Sequence, residues 1–346
     1  MYDYLVLVGR FQPFHLGHQA VIELALEKSQ NVIVLVGSAN VHRSTRNPWT
    51  FEEREDMIEK SCHHLKKISQ DLIIEPLNDY TYNDVSWVSA VRTTIGKHIK
   101  PDSKVGIIGF NKDYTSYYLK MFKGFEVEEI PNQFGTLNAT QIRQQFYQEA
   151  PIISDFIPDE IRASMKVFAF SDTFKWLLSE YNYVKDYKKA WESSPFTPIF
   201  QTADCVVTQS DLILLVTRGG PPYKGALALP GGFVNPKELI FESAVRELRE
   251  ETKISDHKGE IPPAMLKSFV ENKDGVRFED PDRSDRGRTI THAFHFNMPK
   301  REEMFNVIGS DDAAHAQWYD LSKLKVKDFM EDHAFIIQKM LSITMD

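Results

Sequence analysis

Two clusters of imidazole, charged and glycine residues in this chain have the spacing of catalytic groups. The first is the run Gly9-Arg10-Phe11-Gln12-Pro13-Phe14-His15-Leu16-Gly17-His18, in which His15 and His18 are three residues apart. Residues three apart lie on one face of a helix, so we expect both imidazoles to face the same way. A helix N-terminus also offers free amides and a positive dipole end to an anion. The first cluster therefore predicts a phosphate-binding site.

The second cluster is acidic and lies in the other half of the chain. Glu247, Glu250 and Glu251 occupy positions i, i+3 and i+4 and should share one helical face. Three such carboxylates repel one another unless a divalent cation binds them, and Mg²⁺, with Mn²⁺ as the alternative, prefers carboxylate and phosphate oxygens. We expect Arg246 to orient one carboxylate through a bidentate pair. The cluster therefore predicts a site for a divalent cation that also binds substrate phosphates.

Short β-branched runs alternate with amphipathic stretches in the first half of the chain. The expected strands are residues 4–8, 32–36, 72–74, 105–108 and 127–130. A helix should follow Pro48 and end near Leu65, since Thr50 with Glu53 three residues later forms a capping box. This alternation predicts an α/β fold with a doubly wound, Rossmann-like parallel sheet, whose ligands bind beyond the carboxyl ends of the strands.

The second half has a different pattern. From about Phe168 an aromatic, charged helical stretch passes through Trp176, Tyr181, Tyr187 and Trp191 to Pro195 and Pro198. These aromatic side chains fit either packing between domains or a base-stacking surface. The rest of the chain predicts an α+β domain. Its expected elements are a hairpin over 203–217, a helix after Asn235-Pro236, strands near 266–270, 289–296 and 316–319, and a closing helix from Asp332. We expect domains at 1–170 and 198–346, with a connector helix and linker at 171–197.

The histidine run resembles the HxGH signature of the nucleotidyltransferase superfamily, and the residues before it resemble the archaeal-type nicotinamide mononucleotide adenylyltransferase branch. Thr140 and Arg143 match the family's Ser/Thr-x-x-Arg phosphate-binding motif. The resemblance implies transfer of the adenylyl group of ATP to nicotinamide mononucleotide (NMN), giving NAD and pyrophosphate. Nicotinate mononucleotide is an alternative acceptor. No general base is needed, since the second pKa of the attacking phosphate is about 6.

The same resemblance implies roles for individual residues. His15, His18 and Arg143 would act at the reacting phosphates, with Mg²⁺ bridging phosphate oxygens. Trp87 falls where the family stacks an aromatic ring on nicotinamide, and Asn111 lies near the expected adenine pocket. The other expected substrate-binding residues are Gly9, Arg10, Phe11, Gln12, Arg43 and Thr140. Taken singly, the histidines could be satisfied by local hydrogen bonds, Arg143 could form a surface ion pair, and Trp87 could belong to the core.

The acidic helix resembles the Nudix box. Gly232, Glu238 and the run Arg246-Glu247-Leu248-Arg249-Glu250-Glu251 have its spacing. The resemblance implies a Nudix fold, with metal bound at Glu247, Glu250, Glu251 and Gly231. Lys253 stands where the pattern has glycine, which would ease a left-handed helix end. Without the full spacing, the glutamates would indicate only a solvated acidic face.

Residues 280–289 and Asp311-Asp312-Ala313 resemble segments of Nudix enzymes and regulators that act on ADP-ribose. This implies hydrolysis of ADP-ribose to AMP and ribose 5-phosphate, with Arg286 and Arg288 contacting phosphate or ribose and Asp311 or Asp312 as base. For residues 280–289 the alternative is a solvated charge run. For the whole domain the alternative, which Lys253 keeps open, is a sensor that binds such ligands without turnover and regulates the synthase half.

Composition and charge limit the kinds of binding partner and the cellular compartment that this chain fits. The formal net charge of -8 disfavours a general nucleic-acid binder. No stretch approaches a membrane span, and no signal peptide fits before the first strand. Cys62 and Cys205 fit buried thiols in a reducing compartment. We therefore expect a cytoplasmic enzyme acting on ATP, NMN and ADP-ribose, and a homo-oligomer is compatible with the sequence.

Overall fold

The computed structural model describes residues 1–67, 69–109, 121–130, 138–149 and 154–345. The chain forms two compact units, Met1–Ser179 and Glu180–Asp346. The division falls inside helix α6 (Asp172–Lys189), within the stretch predicted as a connector. The finer domain bounds stay a prediction.

The first unit is built on a parallel sheet. Its strands are β1 (Tyr2–Gly9), β2 (Ser29–Val36), β3 (Asp71–Pro76), β4 (Val105–Gly109) and β5 (Glu126–Glu129), in the order β3-β2-β1-β4-β5. The chain winds outward from β1 in both directions, which confirms the doubly wound class. The order reverses between β1 and β4, and ligands of such sheets bind at the carboxyl ends of the strands there.

The helices of the first unit cover a sheet that is apolar on both faces. They are α1 (Leu16–Lys28), α2 (Phe51–Cys62), α3 (Asp84–Gly96), α4 (Ala139–Glu149), α5 (Asp159–Phe168) and the first part of α6. The central strands β1 and β2 are continuous apolar runs because both faces are buried. Helix α2 starts with the predicted capping box, in which the Thr50 side chain accepts from the Glu53 amide.

The second unit combines a mixed sheet with helices. Its strands are β6 (Ile199–Gln209), β7 (Leu212–Arg218), β8 (Leu227–Ala228), β9 (Gly231–Phe233), β10 (Ser255–Asp256), β11 (Gly259–Glu260), β12 (Val276–Phe278), β13 (Arg288–Asn297) and β14 (Ala313–Asp320). The main sheet has the order β12-β13-β6-β7-β14. Strand β6 pairs antiparallel with β7, which confirms the predicted hairpin, and parallel with β13. The predicted α+β class is confirmed.

Besides the end of α6, the described residues of the second unit form three α-helices: α7 (Ile240–Thr252), α8 (Pro263–Ser268) and α9 (His333–Leu341). The prediction of a strand near residues 266–270 is wrong, because helix α8 occupies most of it. Pro262 and Pro263 favour a helix start, where a missing N–H costs nothing. Only Val270 pairs in the manner of a strand, through one bridge to Phe296.

Both cysteines are buried thiols, as expected. Throughout the part of the chain that the structure describes, no helix is long and apolar enough to cross a bilayer.

Candidate active sites

The two histidines of the first cluster lie together at the start of helix α1. Their rings are stacked, with centroids 3.6 Å apart and planes inclined by 21°, as the spacing predicted. The backbone N–H of His15 donates to Nδ1 of His18 at 3.3 Å. A neutral His18 that accepts at Nδ1 carries its proton on Nε2, and that N–H is a donor suited to a phosphate oxygen.

The loop between β1 and α1 is held by close packing. The Phe11 ring is buried, and a Cβ on Gly9 would lie 2.9 Å from it, so a glycine is needed there for space. Phe11 itself has a φ of 53°, a left-handed conformation that costs about 1–3 kcal/mol in a non-glycine residue. The Gln12 side chain bonds both backbone groups of Trp49, at 2.7 and 3.0 Å. Gly9, Phe11 and Gln12 therefore hold the loop in its conformation, and this role is independent of any contact that they make with a substrate.

Arg143 joins the two sequence motifs of the first unit. Its Nη1 donates to the Gln12 carbonyl at 2.6 Å, and its Nη2 donates to Thr140 Oγ1 at 3.2 Å. Arg143 is buried, so it does not lie at the surface as a surface ion pair would require. Helix α4 thus places a guanidinium against the loop that carries the histidines.

The other predicted residues of the first site have varied surroundings. Arg10 is exposed. Arg43 forms a bidentate ion pair with Glu53, at 2.9 and 3.3 Å, so a phosphate would compete with that carboxylate. Trp87 is half-buried and packs against the core of the first sheet. Asn111 lies outside the described residues. The substrate contacts of these four residues stay predictions.

Arg54 supports the first site, and the sequence analysis missed it. It lies on helix α2, is 1% exposed, and donates to the carbonyls of Arg10 and Gly37 at 2.6 Å each and to that of Ser38 at 3.2 Å. These carbonyls follow β1 and β2, so one guanidinium ties both loops. Burial lowers its pKa to about 10. A usable signal existed, because position 54 shares a helix face with the apolar Met57 and Ile58.

Two glycines let strand β9 and helix α7 meet in the second unit. The Gly231 N–H donates to Glu251 Oε2 at 3.0 Å. A Cβ on Gly232 would lie 2.5 Å from Glu247 Oε1, and one on Gly231 would run into the carbonyl of Ala203. The glycine pair of the Nudix box therefore makes room for the carboxylates of its own helix.

Arg246 organises the acidic cluster. Its Nε donates to Glu238 Oε1 at 3.0 Å and its Nη2 donates to Glu238 Oε2 at 3.1 Å, which is a bidentate pair of the kind that the sequence predicted. Its Nη1 donates to Glu247 at 2.8 Å and to Glu250 at 2.9 Å. The hydrogen bond from Arg246 lowers the pKa of Glu238. One guanidinium thus fixes three carboxylates.

Glu251 is the most deeply buried of the three glutamates predicted to bind metal. Burial, followed by its hydrogen bond with Asp312, raises the pKa of Glu251 to about 10. Burial also raises the pKa of Glu247. Arg218 Nη1 lies 3.7 Å from Asp312 Oδ2. Asp312, one of the two aspartates considered as base, therefore lies beside the acidic helix.

These residues fit a hard divalent cation. Buried carboxylates with raised pKa values hold protons that a cation can replace, and carboxylate oxygens are preferred ligands of Mg²⁺ and Mn²⁺. Among the described residues, no three acidic, histidine or cysteine side chains are grouped as ligands of one ion. Binding one cation therefore requires some of these side chains to move closer together.

The two arginines predicted to contact substrate differ in position. The Arg286 guanidinium lies 5.2 Å from the ring centroid of Phe233 in strand β9, next to the glycine pair. Arg288 donates to the carbonyl of Glu279 at 2.7 Å and thereby holds its own loop. The side chain of Arg286 is 16% exposed and that of Arg283 is 3% exposed, so this segment is not a solvated charge run.

A buried ionic network behind the second site was missed by the sequence analysis. Arg283 forms a bidentate pair with Asp332, with two contacts of 2.9 Å, and lies 3.8 Å from Asp204. The Leu229 N–H donates to His333 Nδ1 at 3.0 Å, and burial lowers the pKa of His333. The partners are far apart in sequence and share no motif, so no sequence signal indicated them.

Comparison with known proteins finds a family for each half of the chain and relatives of the whole chain. Residues 6–130 match the Cytidylyltransferase-like family, and residues 199–340 match the NUDIX domain family. The chain is similar to a crystal structure of a bifunctional NMN adenylyltransferase/ADP ribose pyrophosphatase from Francisella tularensis, with a TM-score of 0.91 and 35% identity over 99% of both chains. This chain belongs to that bifunctional family. A second structure from that organism, complexed with AMP and a manganese ion, gives a TM-score of 0.89 and 34% identity, again over 99% of both chains.

Single-function relatives match the two halves separately. A nicotinamide/nicotinic acid mononucleotide adenylyltransferase of Acinetobacter baylyi is 37% identical over 182 residues, which is 52% of this chain and 94% of the relative. An ADP-ribose pyrophosphatase of Methanocaldococcus jannaschii is 37% identical over 135 residues, 39% of this chain and 69% of the relative. Both predicted resemblances are confirmed, and the family's Nudix chemistry depends on a divalent metal.

Proposed function

We propose that this chain catalyses two reactions of NAD metabolism at two sites. The first unit transfers the adenylyl group of ATP to NMN, giving NAD and pyrophosphate. The second unit hydrolyses ADP-ribose to AMP and ribose 5-phosphate. The observation that carries the proposal is that one chain, similar along its length to the bifunctional protein, contains both the linked histidine and arginine motifs and the assembled Nudix box.

At the first site the residues bind and orient phosphates. The NMN phosphate is already ionised near neutral pH, so catalysis rests on alignment and on stabilising charge. His15 and His18 hold the ATP phosphates, and Arg10 and Arg143 neutralise the charge that develops on the departing pyrophosphate. The buried contact of Arg143 with the Gln12 carbonyl supports this role, because it holds the guanidinium beside the histidine loop.

At the second site the acidic helix holds the reacting groups in place. Glu247, Glu250 and Glu251 would hold Mg²⁺, which supplies electrophilic polarisation of the diphosphate and lowers the pKa of a bound water. Arg246 orients Glu247 and Glu250, and the Gly231 N–H orients Glu251. Asp312 takes the proton of the attacking water, and Arg286 binds the diphosphate or the ribose. The contact of Asp312 with Glu251 supports its assignment as base.

The first reaction is tested with the purified chain, ATP, Mg²⁺ and either NMN or nicotinate mononucleotide. We expect NAD and pyrophosphate in equal amounts, with NMN as the preferred acceptor. A chain that released no pyrophosphate with either acceptor would contradict the proposal for the first unit.

The second reaction is tested with ADP-ribose in the presence of Mg²⁺, with AMP and ribose 5-phosphate followed by chromatography. The competing function is a sensor that binds ADP-ribose without turnover. Saturable binding without product would favour that sensor, whereas stoichiometric AMP and ribose 5-phosphate support hydrolysis. Chelation with EDTA should stop the release of AMP.

A further inference from the structure

A short turn at the start of helix α9 contacts two separate parts of the Nudix site. We define this support turn as residues 330–333. On one side it bonds strand β8 and the residue that follows, because the Met330 N–H donates to the Leu227 carbonyl at 3.0 Å and the Leu229 N–H donates to His333 Nδ1 at 3.0 Å. The support turn is therefore anchored to the segment that leads directly into the glycine pair.

The other side of the support turn contacts the loop that carries Arg286. Asp332 forms the bidentate pair with Arg283. The Glu331 side chain is 3% exposed, accepts a hydrogen bond from Ser284 Oγ at 2.7 Å, and has Oε2 3.8 Å from Arg286 Nη2. Ser284 Oγ in turn accepts from the backbone N–H of Arg286 at 3.3 Å. Glu331 therefore holds both the backbone and the side chain of Arg286.

The backbone of Glu331 is strained. Its φ is 44°, in the left-handed region that residues with a Cβ rarely adopt. Such a conformation persists only where the surrounding structure holds it, and it is concentrated at functional sites. Here the neighbours on both sides are held, Met330 by Leu227 and Asp332 by Arg283. The strained residue thus has its carboxylate fixed against the substrate loop.

The Arg286 guanidinium is restrained but not fully hydrogen-bonded. It lies 5.2 Å from the ring centroid of Phe233, and its contact with Glu331 is longer than a hydrogen bond. Within the described part of the chain, its buried Nε has no hydrogen-bond acceptor. The ring and the carboxylate therefore restrict the guanidinium and leave that donor unfilled, which suits a group that binds a phosphate or hydroxyl oxygen.

We propose that Glu331 is a positioning residue for the hydrolase, which holds Arg286 over the Phe233 ring before the substrate binds. This inference rests on the proposed hydrolase function, in which Arg286 binds the diphosphate or the ribose. A flexible arginine loses rotamer freedom when it binds an anion, whereas an ordered arginine has already lost it. Glu331 therefore lowers the KM for ADP-ribose and leaves kcat unchanged.

Glu331→Asp tests this role because it keeps the negative charge and shortens the side chain by one methylene. Aspartate adopts the left-handed conformation more readily than glutamate, so the fold should persist. The shorter side chain should lose its contacts with Ser284 and Arg286. We expect the KM for ADP-ribose to rise about three- to tenfold with kcat within about twofold, because the substrate must then order the guanidinium. Glu302→Asp, the same change at an exposed position of the same unit, should keep the wild-type KM.

Arg286→Ala distinguishes positioning from a purely structural role. This variant should raise the KM by more than Glu331→Asp does, and combining the two should raise it no further, since the arginine that Glu331 positions is then absent. Effects that multiply in the double variant would overturn the inference. So would a KM at or below the wild-type value in Glu331→Asp, since it would show that the reach of the carboxylate does not assist binding.

Binding measurements apply the same comparison without turnover. The dissociation constant of ADP-ribose is measured by calorimetry without metal for the wild type, both single variants and the double variant. A three- to tenfold weakening by Glu331→Asp that disappears in the Arg286→Ala background supports the inference even in a chain that does not cleave ADP-ribose. The positioning role and the hydrolase function therefore fail separately.

Discussion

Lys253 shows how a departure from a motif adds a backbone cost without removing a predicted metal ligand. It ends helix α7 with φ 43° and ψ 38°, and its N–H donates to the Arg249 carbonyl at 3.0 Å. This is the left-handed helix end for which the Nudix pattern uses glycine, and here a residue with a Cβ adopts it. The cost of such a conformation is about 1–2 kcal/mol. Every predicted carboxylate ligand is nevertheless present on the helix.

Lys253→Gly should therefore stabilise the second unit. We expect the free energy of unfolding to rise by about 1 kcal/mol in urea denaturation, with hydrolysis unchanged, because glycine populates the left-handed region at no steric cost. Lys253→Ala is the control, since alanine keeps the Cβ and should give no such gain. Equal gains from both variants would attribute the effect to loss of the lysine side chain instead.

His333 should lower the free energy of unfolding as the pH falls below neutrality. Burial lowers its pKa below the ordinary value of 6.5, while the nearby Asp204, Glu331 and Asp332 raise it and Arg283 lowers it. The unfolded chain therefore binds a proton more readily than the folded chain. The neutral His333 imidazole therefore stabilises the folded chain above pH about 6.5. This stabilisation is lost as the pH falls toward the depressed pKa of His333 in the folded state.

His333→Asn should reduce this acid sensitivity. The asparagine oxygen can accept the Leu229 N–H but does not titrate between pH 5 and 7. We expect the wild-type melting temperature to fall more between pH 7 and pH 5 than that of the variant, as measured by calorimetry. If the melting temperatures of the two proteins fell equally between pH 7 and pH 5, groups other than His333 would be responsible for the pH dependence.

At the scale of elements, the contact between helix α7 and strand β9 depends on the absence of side chains at Gly231 and Gly232. Gly232→Ala would place a Cβ 2.5 Å from Glu247 Oε1. Since that atom ends a flexible side chain, Glu247 should move and lose its position while the fold persists. We expect kcat for ADP-ribose to fall about 100-fold, as a displacement of about 1 Å can cause, with little change in melting temperature.

Gly220→Ala serves as the control for this substitution, because a Cβ on Gly220 meets nothing within 4 Å. It should hydrolyse ADP-ribose at the wild-type rate. If Gly232→Ala did so too, the close approach of helix and strand would not be needed for activity.

The sequence predicted those elements whose patterns are local. The β6–β7 hairpin and the start of α2 follow from turn residues and a capping box, and the Nudix spacing places its carboxylates on one face. The strand predicted near residues 266–270 was wrong because a short apolar run fits a helix as well as a strand. Contacts between distant residues, such as Arg283 with Asp332 or Arg54 with three carbonyls, could not be predicted because their partners are chosen by tertiary packing.

At the scale of the whole molecule, each compact unit carries its own set of candidate catalytic residues. His18→Ala should lower NAD formation by about 100-fold or more, as loss of one phosphate donor can do, and leave ADP-ribose hydrolysis intact. Glu251→Gln should have the opposite effect. Both activities are measured on the same preparations. A change in NAD formation in Glu251→Gln would reveal coupling between the units and favour the regulatory role of the Nudix half.

The contact between Arg143 and the Gln12 carbonyl also sets an order of assembly. The two residues are 131 positions apart, so the ribosome releases the histidine loop long before the arginine that supports it. During synthesis the loop must therefore wait, without its buried cation, until helix α4 has emerged. The histidine loop is thus translated early but completed only once residue 143 is in place, and a nascent chain stopped before that residue should make no NAD.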